Sequence, residues 1–245
     1  MSYIQDYLLS VKSIIEKIQE RELQNIQKAA ELCAETLYIE GMIFTFGTGH
    51  SHMMAEEIFY RAGGLVRVYP ILEESLMLHN GAGKSTSVER LEGYSRVILD
   101  NTPAKSGDTI IIFSNSGRNA VPVEMALYAR EKGLNVIAVT NLTHAKASSP
   151  RNSANLHLHD VAHVVIDNHG ILGDSAVFIE KLNQNICPTS TVSGAMIVQM
   201  IVAQTVEELL CKGKPPECFV SSNVDHGDQK NQIYLEKYSK IIKSL

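Results

Sequence analysis

Apolar and polar positions along this chain follow two different rhythms. In the first forty residues Ile4, Leu8, Val11, Ile15 and Ile18 recur at alternating spacings of four and three, the signature of one apolar helix face. Leu23, Ile26, Ala30, Cys33 and Leu37 resume it after a jump of five, so two helices are expected with a bend or new face near Arg21. Continuous apolar runs come next: Met42-Ile43-Phe44-Thr45-Phe46, Leu65-Val66-Arg67-Val68-Tyr69, Thr109-Ile110-Ile111-Ile112-Phe113, Asn135-Val136-Ile137-Ala138-Val139-Thr140 and Val164-Val165-Ile166. Such runs predict strands buried on both faces. Pro70 is expected to end the second. Helical spacing returns between them, at Met53, Met54 and Ile58, and at Val121, Met125, Leu127 and Tyr128 before Lys132-Gly133. A strongly apolar helix over 192–210, capped by Thr189-Ser190-Thr191, and a final helix over 233–242 complete the pattern. Strands alternating with helices predict an α/β fold, a three-layer sandwich around a mostly parallel sheet with leading and trailing helices.

Two of the predicted strands end in turns of unusual chemistry. The first leads into Gly47-Thr48-Gly49-His50-Ser51-His52, and the third into Ser114-Asn115-Ser116-Gly117-Arg118-Asn119. A helix N-terminus after a glycine turn presents unpaired N–H groups and positive potential, which suits an anion. Ligands of open α/β sheets bind at the carboxyl ends of the strands, where these turns converge. Gly47, Thr48, Gly49, Ser51, Ser114, Asn115, Ser116 and Asn119 are therefore the candidate phosphate-binding residues.

On these motifs the sequence resembles the sugar isomerase (SIS) domain family. Ser114-Asn115-Ser116-Gly117-Arg118-Asn119 is similar to the family's Ser-x-Ser-Gly-x-Thr loop, with Asn119 at the usual threonine, and Gly47-Thr48-Gly49-His50-Ser51 to its glycine turn. The resemblance covers roughly 23–210 and looks nearest to phosphoheptose-isomerase-like proteins and a branch of them. It implies a flavodoxin-like sheet and a phosphorylated sugar as ligand, while the apolar stripes of the leading helices and of the helix over 192–210 exceed what one sheet face covers and predict a homodimer or homotetramer. One unit over 1–245 is expected, with a helical extension over about 1–40 and a tail helix over about 228–245.

Composition narrows the function further. The formal charge is −5 with no basic run, which argues against a nucleic-acid partner. No apolar run approaches the roughly 20 residues that cross a bilayer. Cys33, Cys187, Cys211 and Cys218 show no CxxC spacing and read as reduced thiols of a cytoplasmic protein. The stretch Asn80-Gly81-Ala82-Gly83-Lys84-Ser85-Thr86 lacks the first glycine of a P-loop, which would fall at Leu78, and no buried strand leads directly into it. It is expected to be a charged loop acting as a lid. His157, His159, His163 and His169 fall into no zinc spacing with cysteine, and neither metal nor cofactor is expected.

Aldose–ketose isomerisation through an enediol needs a carboxylate base and a second group working at oxygen. In the family's amino-sugar synthase branch a glutamate after the second strand is the base, and the resemblance carries that role to Glu74. His79 is the expected partner at oxygen and Glu92 the rival base. The phosphoheptose branch implies a histidine–glutamate pair on the helix after the glycine turn. His52 and Glu56 repeat its spacing several residues early, while the helix over 192–210 brings Gln199 and Gln204 but no histidine. An isomerase is the favoured reading. A sugar-phosphate lyase or deaminase, or a non-catalytic phosphosugar sensor, stays open beside it.

Overall fold

The computed structural model describes residues 2–245. Helices α1 (Tyr3–Arg21) and α2 (Leu23–Tyr38) lead the chain and break at Glu22, where the jump in spacing falls. Then come β1 (Ile43–Gly47), α3 (His52–Glu57), β2 (Val68–Ile71), α4 (Ala82–Val88), α5 (Tyr94–Asp100), β3 (Thr109–Phe113) and α6 (Ala120–Glu131). They are followed by β4 (Asn135–Thr140), α7 (Leu142–Lys146), α8 (Leu158–Val161), β5 (Val164–Asp167), β6 (Ser175–Ile179), β7 (Gln184–Pro188), α9 (Ser190–Cys211) and α10 (Gly227–Tyr238).

Strands β1 to β5 form one parallel sheet in the order β2-β1-β3-β4-β5. This is the flavodoxin-like doubly wound order, whose switch point lies between β1 and β3. Successive strand residues point to opposite faces, and each face has its own helical layer. Phe44, Phe46, Ile110, Ile112 and Val136 pack with α5, α6 and α8. Ile43, Ile111, Phe113, Ile137 and Val139 pack with α2 and α9. Because β1 and β3 are buried at every position, no polar residue interrupts their runs except Thr45 and Thr109. Thr45 donates to the Ala55 carbonyl, and Thr109 shares a 2.7 Å hydrogen bond with Thr36.

Several expectations shift. The second strand runs Val68–Ile71 and includes Pro70. It is an edge strand, where a residue without an N–H is tolerated. Leu65 instead bridges to Cys218, and Val66 donates to the Glu217 carbonyl, so the C-terminal segment runs beside this stretch. The last helix begins earlier than expected, at Gly227. The expected lid loop is helical, with α4 and α5 joined by a short turn. The side chain of Ser85 in α4 is buried and donates to the Leu76 carbonyl at 2.7 Å. The segment before α9 holds an antiparallel hairpin, β6–β7. The cap of α9 comes from Asp174, which accepts the N–H groups of Thr189 (3.1 Å) and Ser190 (2.8 Å), rather than from Thr189-Ser190-Thr191. Finally, α9 with its 22 residues is long and apolar enough to cross a bilayer by length and composition, contrary to the first estimate. Here one face of it is buried against α2 and α3.

Candidate active site

The turn after β1 is closed on itself. A Cβ on Gly47 would lie 2.4 Å from the Ser51 carbonyl oxygen, so no other residue fits. Ser51 N–H donates to the Thr48 carbonyl at 2.9 Å, and Gly49 takes φ +55°. Residues Gly49–Ser51 form a 3-10 turn that runs into the six residues of α3. His52 is buried, and its Nδ1–H donates to the Gly49 carbonyl. That leaves Nε2 facing Glu56 at 3.8 Å.

The turn after β3 is looser. Gly117, at φ +58°, donates its N–H to the buried Ser114 hydroxyl at 3.2 Å. Asn115 is held by Asn168, whose amide donates to its side-chain oxygen at 2.9 Å. Asn119 stands at the N-cap position of α6 without a side-chain capping bond. Its Oδ1 is buried and has no partner among the described residues, and neither has the buried Nε of Arg118. The first turn of α6 adds little for an anion, since the Val121 N–H donates to the Glu89 carbonyl at 3.1 Å and Pro122 carries no N–H.

Between the turns lies a recess bordered by His50, Ser51, Ser114, Asn115, Asn168, Ser190 and Thr191, with Met54, Phe113 and Val139 beneath. Three of the candidate binding residues, Ser51, Ser114 and Asn115, border it. Gly47, Thr48, Gly49, Ser116 and Asn119 flank it on the backbone of the two turns. Asn168, Ser190 and Thr191 were missed, because they come from the end of β5 and the start of α9, which sequence spacing does not connect. The start of α9 is already occupied by the Asp174 carboxylate, whose Oδ2 also accepts the Ser190 hydroxyl at 2.5 Å. Its backbone N–H groups therefore have little to offer a phosphate.

The acids are distributed differently from the expectation. Glu74 opens the 3-10 turn Glu74–Leu76 and is exposed. Its neighbour Glu73 is the engaged one, accepting the Tyr94 hydroxyl at 2.7 Å and the Ser75 hydroxyl at 3.0 Å. Glu92 is exposed and accepts the Ser153 N–H at 2.8 Å. The carboxylate that reaches the first turn is Glu89, which accepts the Thr48 hydroxyl at 2.8 Å. The Glu89 carbonyl also accepts the Val121 N–H, so this residue ties the glycine turn to the first turn of α6. His79, in the 3-10 turn Leu78–Asn80, stands edge-on to His52 with ring centroids 6.3 Å apart. Glu89 thus joins the first turn and an exposed His79 stands beside His52, while Glu74 and Glu92 are exposed; none of these five side chains borders the recess itself.

One set of side chains could hold a metal by proximity. His157, His159 and Asp160 place ligand atoms within 4.8 Å of one another. The set lies on the opposite side of the second turn, where Leu158 N–H donates to the Gly117 carbonyl. Its members already pair internally, with His157 Nδ1 at 3.8 Å and His159 Nε2 at 3.6 Å from Asp160.

Comparison with known proteins identifies the family and the fold. A model of the SIS domain covers residues 6–141, more than half of the chain. The chain is 40% identical over 239 residues to a UPF0309 protein of Halalkalibacterium halodurans, covering 98% of this chain and 96% of the relative. It is 42% identical over 244 residues to a UPF0309 protein of Thermoanaerobacter pseudethanolicus, covering 98% and 99%. The chain belongs to the SIS domain family, among the UPF0309 proteins. Its fold is similar to that of the phosphoheptose isomerase of Neisseria gonorrhoeae (TM-score 0.53, 16% identity, 82% of this chain and 94% of that one). The enzyme of the same name from Francisella tularensis gives 0.53 at 15% identity, covering 83% and 96%. The sugar isomerase domain of an RpiR transcription factor from Sphaerobacter thermophilus gives 0.50 at 13% identity, covering 97% of each chain. At these identities the likeness is one of fold, and this SIS fold serves an enzyme in one case and a regulator in another.

Proposed function

We propose that this SIS protein binds a phosphorylated sugar between its two turns and interconverts aldose and ketose forms through an enediol. The observation that carries the reading is the carboxylate of Glu89 on the Thr48 hydroxyl, where the Glu89 carbonyl also ties the glycine turn to Val121 of α6. A phosphate received by Ser51, Ser114, Ser116 and the backbone of the second turn leaves the sugar carbons facing the α3 side of the mouth. There Glu89 serves as the base that carries a proton between neighbouring carbons. His79 works at oxygen, with His52 behind it holding the glycine turn in place. Glu74 and Glu92 are the competing bases, and their exposure favours neither.

A non-catalytic sensor is the second reading. It is favoured by α9, whose Gln199 points to Glu57 at 3.0 Å and which brings no acid or base to the recess beyond hydroxyls. A panel of sugar phosphates, titrated by calorimetry and followed by NMR for conversion, separates the two. Glu89→Gln is expected to cut turnover by roughly 10²–10⁴-fold with phosphate binding nearly intact. A loss seen instead with Glu74→Gln or Glu92→Gln moves the base to that residue. Binding without conversion of any sugar establishes the sensor.

The assembly is proposed to be a homodimer or homotetramer joined through α1 and the β6–β7 hairpin. Ile4, Leu8, Phe178, Leu182 and Val192 are all exposed there, and α1 packs on both β6 and α9. Apolar side chains collected on one face of neighbouring elements suit a self-complementary contact. A single-chain mass in sedimentation at micromolar concentration would refute this.

A further inference from the structure

We propose that the ligand carries a second acid group besides its phosphate, received by Arg90, Arg118 and Arg151 at the edge of the second turn. This rests on the sugar-phosphate reading above and narrows its substrate class.

The arginines of this chain divide sharply. Arg61 pairs with Glu57, Arg67 with Glu40 and Glu217, Arg96 with Asp100, and Arg130 donates to the Val161 carbonyl. Apart from Arg21 on α1, which is likewise unpaired, Arg90, Arg118 and Arg151 have neither a carboxylate within 4.0 Å nor a side-chain hydrogen bond among the described residues. They are also neighbours. The Arg151 N–H donates to the Arg118 carbonyl at 2.7 Å, and Asn119 and Arg151 form a parallel backbone bridge. Arg90 follows Glu89, which is tied to α6 through Val121. Burial, together with the like charges of Arg151 and Arg90, holds Arg118 below the ordinary guanidinium pKa.

Two carboxylates lie nearby, and each is engaged elsewhere: Glu89 on the Thr48 hydroxyl, Glu92 on the Ser153 N–H. Three arginines thus share this edge of a chain whose formal charge is −5, Arg90 and Arg151 exposed and Arg118 half-buried within reach of both charges, its buried Nε without a partner among the described residues. A buried donor without a partner is costly, and like charges add to the cost. An anion in their midst removes both. The phosphate already has hydroxyls and N–H groups in the turns, so these forks address a second group. Planar guanidinium forks match the two oxygens of a carboxylate or of another phosphate. The ligand class is therefore a sugar phosphate bearing a carboxylate or a second phosphate.

Calorimetry with inorganic phosphate, fructose 6-phosphate, 6-phosphogluconate and fructose 1,6-bisphosphate tests this. At least one of the two doubly acidic compounds is expected to bind about 10-fold or more tightly than fructose 6-phosphate. The advantage should shrink as salt is raised. It should fall to within about twofold in Arg118→Gln and in the exposed Arg151→Gln, with fructose 6-phosphate affinity changed less than about threefold. A preference for phosphogluconate identifies the second group as a carboxylate, and a preference for the bisphosphate identifies it as a phosphate. Equal affinity for all three sugars overturns the inference while leaving the phosphate site standing. Equal weakening of all three by Arg118→Gln also overturns it, since Arg118 would then belong to the phosphate cradle. If none of the four compounds binds the folded protein, the sugar-phosphate reading falls with it.

Discussion

The two turns that frame the recess solve opposite problems. After β1, no buried side-chain nitrogen or oxygen of the turn lacks a partner: His52 donates to the Gly49 carbonyl and Thr48 to Glu89, and the Ser51 N–H closes the backbone onto Thr48. After β3, Asn119 Oδ1 and Arg118 Nε are buried without partners. Buried polar atoms are seldom left unpaired, because each costs about 1–3 kcal/mol. The contrast teaches that the first turn is built to position and the second to receive. One is fixed by backbone closeness, and the other keeps hydrogen-bonding capacity in reserve.

Glycine substitutions should break the comparison most forcefully. In Gly47→Ala the new methyl meets the Ser51 carbonyl at 2.4 Å and its carbon at 2.5 Å. Backbone cannot step aside as a side chain can, so a loss of about 3 kcal/mol or more is expected in urea unfolding. In Gly117→Ala the nearest atom is the buried Thr140 hydroxyl at 2.9 Å, a shallower overlap with a side chain rather than with backbone. The cost there is that of a left-handed residue, about 1–2 kcal/mol, plus a small shift of Thr140. A reversed order would mean that the first turn is the more yielding of the two.

Ser116→Ala comes next and touches function rather than stability. Its side chain is half-buried and makes no hydrogen bond among the described residues, so the unliganded protein should unfold at nearly the wild-type urea concentration. Affinity for a sugar phosphate should fall by roughly 0.5–3 kcal/mol if a charge-assisted bond is lost. Unchanged affinity in calorimetry would remove Ser116 from the cradle.

What could be read from sequence follows the same division between local and distant. β1 and β3 are legible because both their faces are buried, so their runs are uninterrupted. The turns after β1 and β3 are legible because each is six residues of contiguous chain. β2 starts three residues late because Leu65 and Val66 pair with Cys218 and Glu217 of the distant C-terminal segment, and it runs on through Pro70 because it lies on the sheet edge, where the usual exclusion of proline does not hold. α4, with the sequence Ala-Gly-Lys-Ser-Thr-Ser-Val, has weak propensity. It owes its place to bonds such as Ser85 to Leu76, which no periodicity announces. Glu89 was out of reach for a related reason. Its partner Thr48 is 41 residues away, and nothing near it in sequence separates it from Glu74 or Glu92. The hairpin β6–β7 turns through Glu180–Leu182 and Asn183 at φ +49°, without the Asn-Gly pair that usually marks such turns.

Asn119→Ala should have the smallest effect on the protein and is the sharpest test of the comparison. Replacing an N-cap asparagine by alanine commonly costs about 0.5–2 kcal/mol, because a capping bond is lost. Here no such bond exists, and the substitution also removes an acceptor that is buried without a partner. The two terms oppose each other, so the unliganded variant should unfold within about 0.5 kcal/mol of wild type. Binding should tell the other half. If Oδ1 waits for a ligand hydroxyl, the variant loses roughly 0.5–1.5 kcal/mol of sugar-phosphate affinity, measurable by calorimetry beside inorganic phosphate. Inorganic phosphate has no sugar hydroxyl and should bind both proteins equally. A full capping loss in the unliganded protein would show that Asn119 closes its own helix in solution, making the second turn as self-contained as the first.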